Sequence, residues 1–198
     1  MSLVDRVSGE DCAIPWLRAP VDVTIAERAA SLFPALGSPE GWNARFGREL
    51  NATEDRSALG PPGRGLAVVE GKHLTPFRAK CEAAQFGVSV AEATRLLGDR
   101  YRRARLAYRD VASPTNRVTL IAVVLPPMCV STHTVFCLKS RLSAVAQHFL
   151  CGLFNSLVVN YLTRLRVTTH VTASVVERLP VPREDQAGAA FREIAAIA

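Results

Sequence analysis

Five arginines fall within ten residues, at Arg100, Arg102, Arg103, Arg105 and Arg109, opposed only by Asp99 and Asp110. A planar guanidinium matches phosphate oxygens and the guanine edge, so this density suits a polyanionic partner. On an extended chain Arg103 and Arg105 share one face, as do Arg100 and Arg102. Asn116 and Arg117 stand at a loop-to-strand junction. An asparagine amide fits adenine and a guanidinium fits guanine in the major groove, while a turn-forming asparagine is the equal alternative. Lys72 and His73 follow an apolar run and a glycine. They fit a phosphate contact held by a tight turn, or Lys72 pairs with Glu70 on the same face. Arg164, Arg166, Thr168, Thr169 and His170 form a polar group after a helical stretch and suit a duplex backbone. The same place also draws cations to a helix C-terminus, which is the plainer account of the two arginines. Asp110 reads as a brace, with Arg109–Asp110 supporting Asn116 and Arg117.

Self-contained catalysis has no comparable support. The sequence holds no G-x-G-x-x-G, no phosphate-cradling Walker loop, no G-x-S-x-G and no HExxH. The Asn-Pro-Pro-aromatic type of loop used by amino-methyltransferases is missing, as is the glycine-rich turn that accompanies it. Five cysteines (12, 81, 129, 137 and 151) are odd in number and lack CxxC spacing, and four histidines are equally scattered. Buried free thiols in a reducing cytoplasm are expected, with no metal site.

Charge is segregated along the 198 residues. Residues 1–64 carry 7 basic and 9 acidic groups, residues 65–183 carry 16 and 6, and residues 184–198 carry 1 and 3. The strongly basic middle again points to a polyanion. The basic groups are 21 Arg and 3 Lys, a bias that nucleotide composition explains as well as phosphate binding does. With 48% hydrophobic residues the chain can bury a sizeable core, which excludes a disordered chain. Residues 142–162 are broken by polar side chains, so no membrane span is expected, and the first residues show no secretory pattern.

These side chains need elements to place them. Ala26 to Leu32 suits a short helix. Trp42, Phe46 and Leu50 lie four apart, an apolar helical stripe. Asn51 to Asp55 predicts a turn and residues 60–65 a loop. Strands are expected at 66–69, 104–110, 117–125 and 134–138. Gly71 allows a positive φ in the turn after the first of these. Ser89 caps a helix running to Leu97. Residues 142–153 and 157–165 predict a helix pair, with Asn155 and Ser156 capping the second member. Residues 113–116 predict a turn, 167–176 a strand or loop, 176–182 an extended segment and 187–197 a terminal helix. The order lacks a βαβ rhythm, so the class is α+β: a mixed or antiparallel sheet with a central helix pair and a terminal helix. Three parts follow: an N-terminal linker or extension over 1–40, a recognition domain over 41–183 and a C-terminal helix over 184–198.

Five stretches, in order, carry a resemblance: GRELNATEDR (47–56), VVEGKHLTPFR (68–78), YRDVASPTNRVTLIAVVLP (108–126), LFNSLVVNYLTRLR (153–166) and VERLPVP (176–182). Together they resemble the C-terminal target-recognition region of adenine-specific DNA methyltransferases. The closest group is the type IIG restriction–modification enzymes and related phage-resistance methylases. The resemblance covers about residues 40–183. It implies a domain that reads DNA sequence, while a separate catalytic domain binds S-adenosylmethionine and flips the adenine. The catalytic half is absent from this sequence, so methylation by the chain alone is not implied. The implied partners are duplex DNA and a methyltransferase catalytic domain or subunit, in a cytoplasmic phage-defence setting. A protein-interaction piece that docks such an enzyme without touching DNA is the alternative. Arg109 and Asp110 match the family's Arg-Asp element. At Thr168-Thr169-His170 relatives often carry a glycine that this chain lacks.

Overall fold

The computed structural model describes residues 17–112 and 115–198; Cys12, the start of the chain and the Ser113–Pro114 part of the expected turn lie outside them. The chain is α+β, and its polar side chains are positioned by two sheets packed through a shared apolar layer.

The first sheet runs β1-β10-β7-β8, all antiparallel: β1 (Phe46–Gly47), β10 (Val135–Leu138), β7 (Arg105–Arg109) and β8 (Ala122–Leu125). The second runs β2-β6-β3-β9: β2 (Leu59–Gly60), β6 (Phe86–Val88), β3 (Leu66–Val69) and β9 (Cys129–Ser131), with β3 and β9 parallel. A hairpin pairs β4 (Leu74–Thr75) with β5 (Arg78–Ala79).

The period of two along each strand divides the core. Leu106, Tyr108, Ala122, Phe136 and Leu138 face the helical side. Their neighbours Ala107, Val123, Leu125, Val135 and Cys137 face the second sheet with Val69 and Cys129. The helical side is formed by α3 (Ala144–Phe154), α4 (Leu157–Arg164), α5 (Ala173–Glu177), α6 (Glu184–Ala187) and α7 (Ala189–Ile197). In it Phe149 meets Phe191 with ring centroids 4.9 Å apart. The outer face of the second sheet is covered by α2 (Val90–Leu97), whose N-cap Ser89 accepts from Glu92 N, together with Tyr101. The first helix, α1 (Pro20–Leu32), sets Ala26 against Leu165. Leu36 and Phe191, on either side of the 41–183 segment, join the same core cluster.

Three amides stitch the helices to the first sheet. Gln147 Oε1 accepts from Leu106 N at 2.7 Å. Asn155 both accepts from Ala122 N and donates to Ala122 O, as a neighbouring strand would. Asn160 Oδ1 accepts from Thr119 N and Leu120 N, both at 2.8 Å, while its Nδ2 donates to Phe154 O and Ser156 O.

These bonds explain where the sequence expectations differ from the fold. The strand expected over 117–125 pairs only at Ala122–Leu125, because Asn160 takes the N–H groups that would extend it. The stripe of Trp42, Phe46 and Leu50 is not a helix. Phe46 enters edge strand β1, and Leu50 bridges Thr132 and joins the core of the second sheet. Trp42 packs on Phe149 and Phe191. Ser156 does cap α4, accepting from Val159 N, but Asn155 serves the sheet. Residues 167–172 are irregular, and 173–177 form α5. Gly71 has no positive φ; it is needed for space, since a Cβ there would stand 2.8 Å from Arg109 Cγ and 3.0 Å from Thr134 O.

Candidate nucleic-acid interface

Where β7 ends and β10 begins, at one end of the first sheet's central strands, lies a groove of about 560 Å³, lined by Glu70, Gly71, Lys72, Arg109, Val111, Ala112, Asn116, Thr134 and Thr169. Four residues singled out in the sequence, Lys72, Arg109, Asn116 and Thr169, thus converge from four separate segments. A turn at Gly71–His73 supplies Lys72, the end of β7 supplies Arg109, the loop before β8 supplies Asn116, and the segment after α4 supplies Thr169.

Backbone bonds set this geometry. Gly71 N donates to Thr134 Oγ1 at 2.9 Å, tying the turn to the start of β10. Ala112 N donates to Thr169 O and Val171 N donates to Asp110 O, which lays 169–171 along the end of β7. Asp110 is buried beneath the groove; Oδ2 lies 3.2 Å from Arg48 Nη2 and Oδ1 lies 3.3 Å from His170 Nδ1. The brace expected for Asn116 and Arg117 is not formed: Asp110 contacts Arg48 and His170 instead. The Asn116–Arg117 loop is held by Arg164, whose Nη2 donates to both of their carbonyls at 3.2 Å.

Hydrogen bonding is incomplete both in the groove and beneath it, where Tyr108 Oη and Asp110 Oδ1 are buried without a hydrogen-bond partner among the described residues. Arg109 Nε is buried and has no partner among the described residues. A buried guanidinium N–H without an acceptor is costly, and an acceptor on a ligand would satisfy it. Beside it Lys72 Nζ sits 3.0 Å from Glu70 Oε2 and donates to Gln85 Oε1 at 2.8 Å, so the structural pairing weighed for Lys72 is present. Lys72 stays exposed all the same.

Several candidates are engaged within the fold, by burial or by hydrogen bonds to backbone. His73 is buried, and its Nδ1 accepts from Glu70 N at 3.1 Å. Burial holds its imidazole below the ordinary value, so it closes the turn as a neutral acceptor. Arg105 points inward. Its Nε and Nη2 reach the two Glu49 oxygens at 2.7 and 2.8 Å, and Nη2 also donates to Cys129 O. Burial alone would raise the Glu49 carboxyl, but the Arg105 hydrogen bonds and charge, with two donations from Ser131, outweigh it and hold it below its usual range. Arg166 donates to Arg178 O, and burial beside the Arg178 charge lowers it to about 10. Arg164 is committed to carbonyls and lines a separate hollow with Thr168 and Asp22, against α1. Asp22 there accepts from Tyr161 Oη.

The expected alternation across 100–105 is also corrected. Arg100–Arg102 is a single 3-10 turn, and the strand begins only at Arg105. Arg102 is exposed and lies over the Tyr101 ring, 5.7 Å from its centroid. Arg100 and Arg103 line a second cleft. Arg117 is exposed.

Sequence reasoning missed Thr134 in the groove and Arg48 beneath it, and placed Glu70 only as a partner of Lys72. Thr134 carries no signal of its own; it arrives through the close return from β9 to β10. Among the described residues no group of His, Cys, Asp or Glu is placed to hold a metal. Cys129 and Cys137 are free and buried, which pushes each thiol up to about 12. No helix among the described residues is long and apolar enough to cross a membrane.

No family model matches the chain, and no curated protein does. Two of the solved structures similar to it come from restriction–modification systems or their subunits. One belongs to a study of complex assembly and conformational transition of the type I R-M system, with 17% identity over 89% of this chain and 42% of that one, at a TM-score of 0.41. The other is the HsdS subunit from Thermoanaerobacter tengcongensis, with 14% identity over 89% of this chain and 41% of that one, at a TM-score of 0.38. The chain spans less than half the length of either. At such TM-scores the likeness decides neither fold nor function.

Proposed function

We propose that the chain is a DNA sequence-recognition unit of a restriction–modification system, and that the groove at Lys72, Arg109, Asn116 and Thr169 meets the duplex. The observation that carries this reading is Arg109: a guanidinium at a groove floor with a buried, unpartnered N–H, next to an amide, a hydroxyl and an ammonium. That set suits base edges as well as phosphates. Arg109 fits guanine, Asn116 fits adenine, and Val111 offers an apolar contact of the kind a thymine methyl takes. Lys72, Arg102 and Arg117 are exposed and fit the sequence-independent phosphate contacts that give affinity.

The finer reading, an adenine-N6 methyltransferase of the type IIG kind, rests on the five-motif resemblance. Under it S-adenosylmethionine and the methyl transfer belong to a catalytic domain or subunit that docks on this chain, in a cytoplasmic phage-defence system. The type I system of one similar structure is the other setting in which the coarser reading would hold. One feature favours the protein-docking alternative: Leu157 and Val158, 88% and 63% exposed, open α4 side by side.

Selection from duplexes with a randomised segment tests the proposal. The full chain should enrich one defined site, and Asn116→Ala should relax one position of it while keeping the salt dependence of binding. Duplex binding with no enrichment would leave a non-specific binder and overturn the recognition reading.

A further inference from the structure

A second cleft, of about 420 Å³, is lined by Arg100, Arg103, Lys139 and Arg141, with Ala144 and the Glu49-paired Arg105 also on its wall. No carboxylate of the described residues lines it. The nearest acids are engaged elsewhere or peripheral: Glu49 is buried against Arg105, and Asp99 reaches Arg103 only at 3.9 Å, with 70% of its own side chain exposed. Two of the cations are fixed in place by backbone. Arg100 Nε donates to Leu97 O at 2.9 Å, and Lys139 Nζ donates to Arg48 O at 2.8 Å. Burial, then the neighbouring Arg100 charge, outweighs the attraction of the Glu49 carboxylate and holds Lys139 below its ordinary value. Ala144 begins the 11-residue helix α3, so the positive end of that helix lies at the same cleft.

Four cations and a helix start around one concavity repel each other unless an anion sits among them. We propose that this cleft is a phosphate site, taking either a phosphodiester of a nucleic-acid backbone or the phosphate of a free ligand. Guanidinium forks from Arg103 and Arg141 would supply paired donors to its oxygens, and Lys139 a point charge. This site shares no lining residue with the groove of the proposed function and does not depend on it.

The test compares the full chain with an Arg103→Ala/Arg141→Ala variant; both side chains are exposed, so the fold should persist. A charge-matched Arg28→Ala/Arg95→Ala variant, altered at exposed arginines outside both clefts, serves as control. Pyrophosphate binding is measured by titration calorimetry, and duplex DNA binding is measured across a salt series. Pyrophosphate should bind the parent and the control but not the cleft variant. If the source is a DNA backbone, the cleft variant should also bind duplex roughly tenfold or more weakly, with a salt slope shallower by about 2. Pyrophosphate binding with an unchanged duplex slope assigns the site to a free phosphate ligand. Duplex binding that is equal in cleft and control variants, with no pyrophosphate binding by the parent, overturns the phosphate site and leaves the groove reading standing. Pyrophosphate binding by a chain that ignores DNA does the reverse.

Discussion

Two polar regions lie at opposite ends of β7, on one face of it, built from similar residues and wired differently. Inside the molecule Arg105, Glu49 and Ser131 form a closed set in which every charged oxygen and the inward guanidinium find partners. Asn160 likewise uses both ends of its amide on backbone. In the groove, among the described residues, Arg109 Nε has no acceptor and Asn116 gives its carbonyl to Arg164. Arginine and asparagine therefore each do two jobs in one molecule. Where the donors are answered from within, the residue specifies the fold. Where they are left open at a concave surface, the residue is available to a partner.

The largest expected effect breaks the closed set. Arg105→Ala strands the Glu49 carboxylate at 1% side-chain exposure and should destabilise the chain by about 3–5 kcal/mol in denaturant unfolding. The same pair gives a pH dependence. The Glu49 carboxyl is depressed in the folded state, so its contribution is complete above its ordinary value of 4.5 and is lost as pH falls through the lower folded value. Parent stability should decline in that acid window more steeply than that of an Arg105→Met/Glu49→Leu variant. Next, Asn160→Ala leaves Thr119 N and Leu120 N without their acceptor and should cost about 3 kcal/mol. Equal stability in that variant would mean that the 117–121 segment does not depend on the amide.

The smaller effects belong to the groove and appear in binding. Arg109→Met keeps the apolar stem and should weaken duplex binding by about 1–3 kcal/mol, with specificity relaxed at one position and stability nearly unchanged. A loss of stability as large as that of Arg105→Ala would erase the contrast between the two regions. Lys72→Ala should weaken binding evenly across sequences and make the salt slope shallower by about 1, with stability within about 0.5 kcal/mol of the parent.

The elements were largely legible in the sequence because local signals set them. Ser89 and Ser156 cap their helices as read, and Leu66–Val69 is the strand its apolar run predicts. Errors arose where a distant side chain decides local structure. Asn160 takes the N–H groups of residues 119 and 120, more than thirty positions away in sequence, and ends a strand that β-branched composition favours. Glu49 draws Arg105 inward, and nothing in the run from Arg100 to Arg105 distinguishes that arginine from its neighbours. The groove was half legible. Lys72, Arg109, Asn116 and Thr169 were chosen by type, but their convergence depends on the pairing of residues 110–112 with 169–171, which spacing does not reveal.

The most direct measurement is duplex DNA binding by the purified chain across a salt series, with folding verified by circular dichroism. The account predicts a plot of log affinity against log salt with a slope near −4 or steeper, about what several phosphate contacts release, and weaker binding by Arg109→Met. A folded chain that binds no duplex at low salt would contradict it.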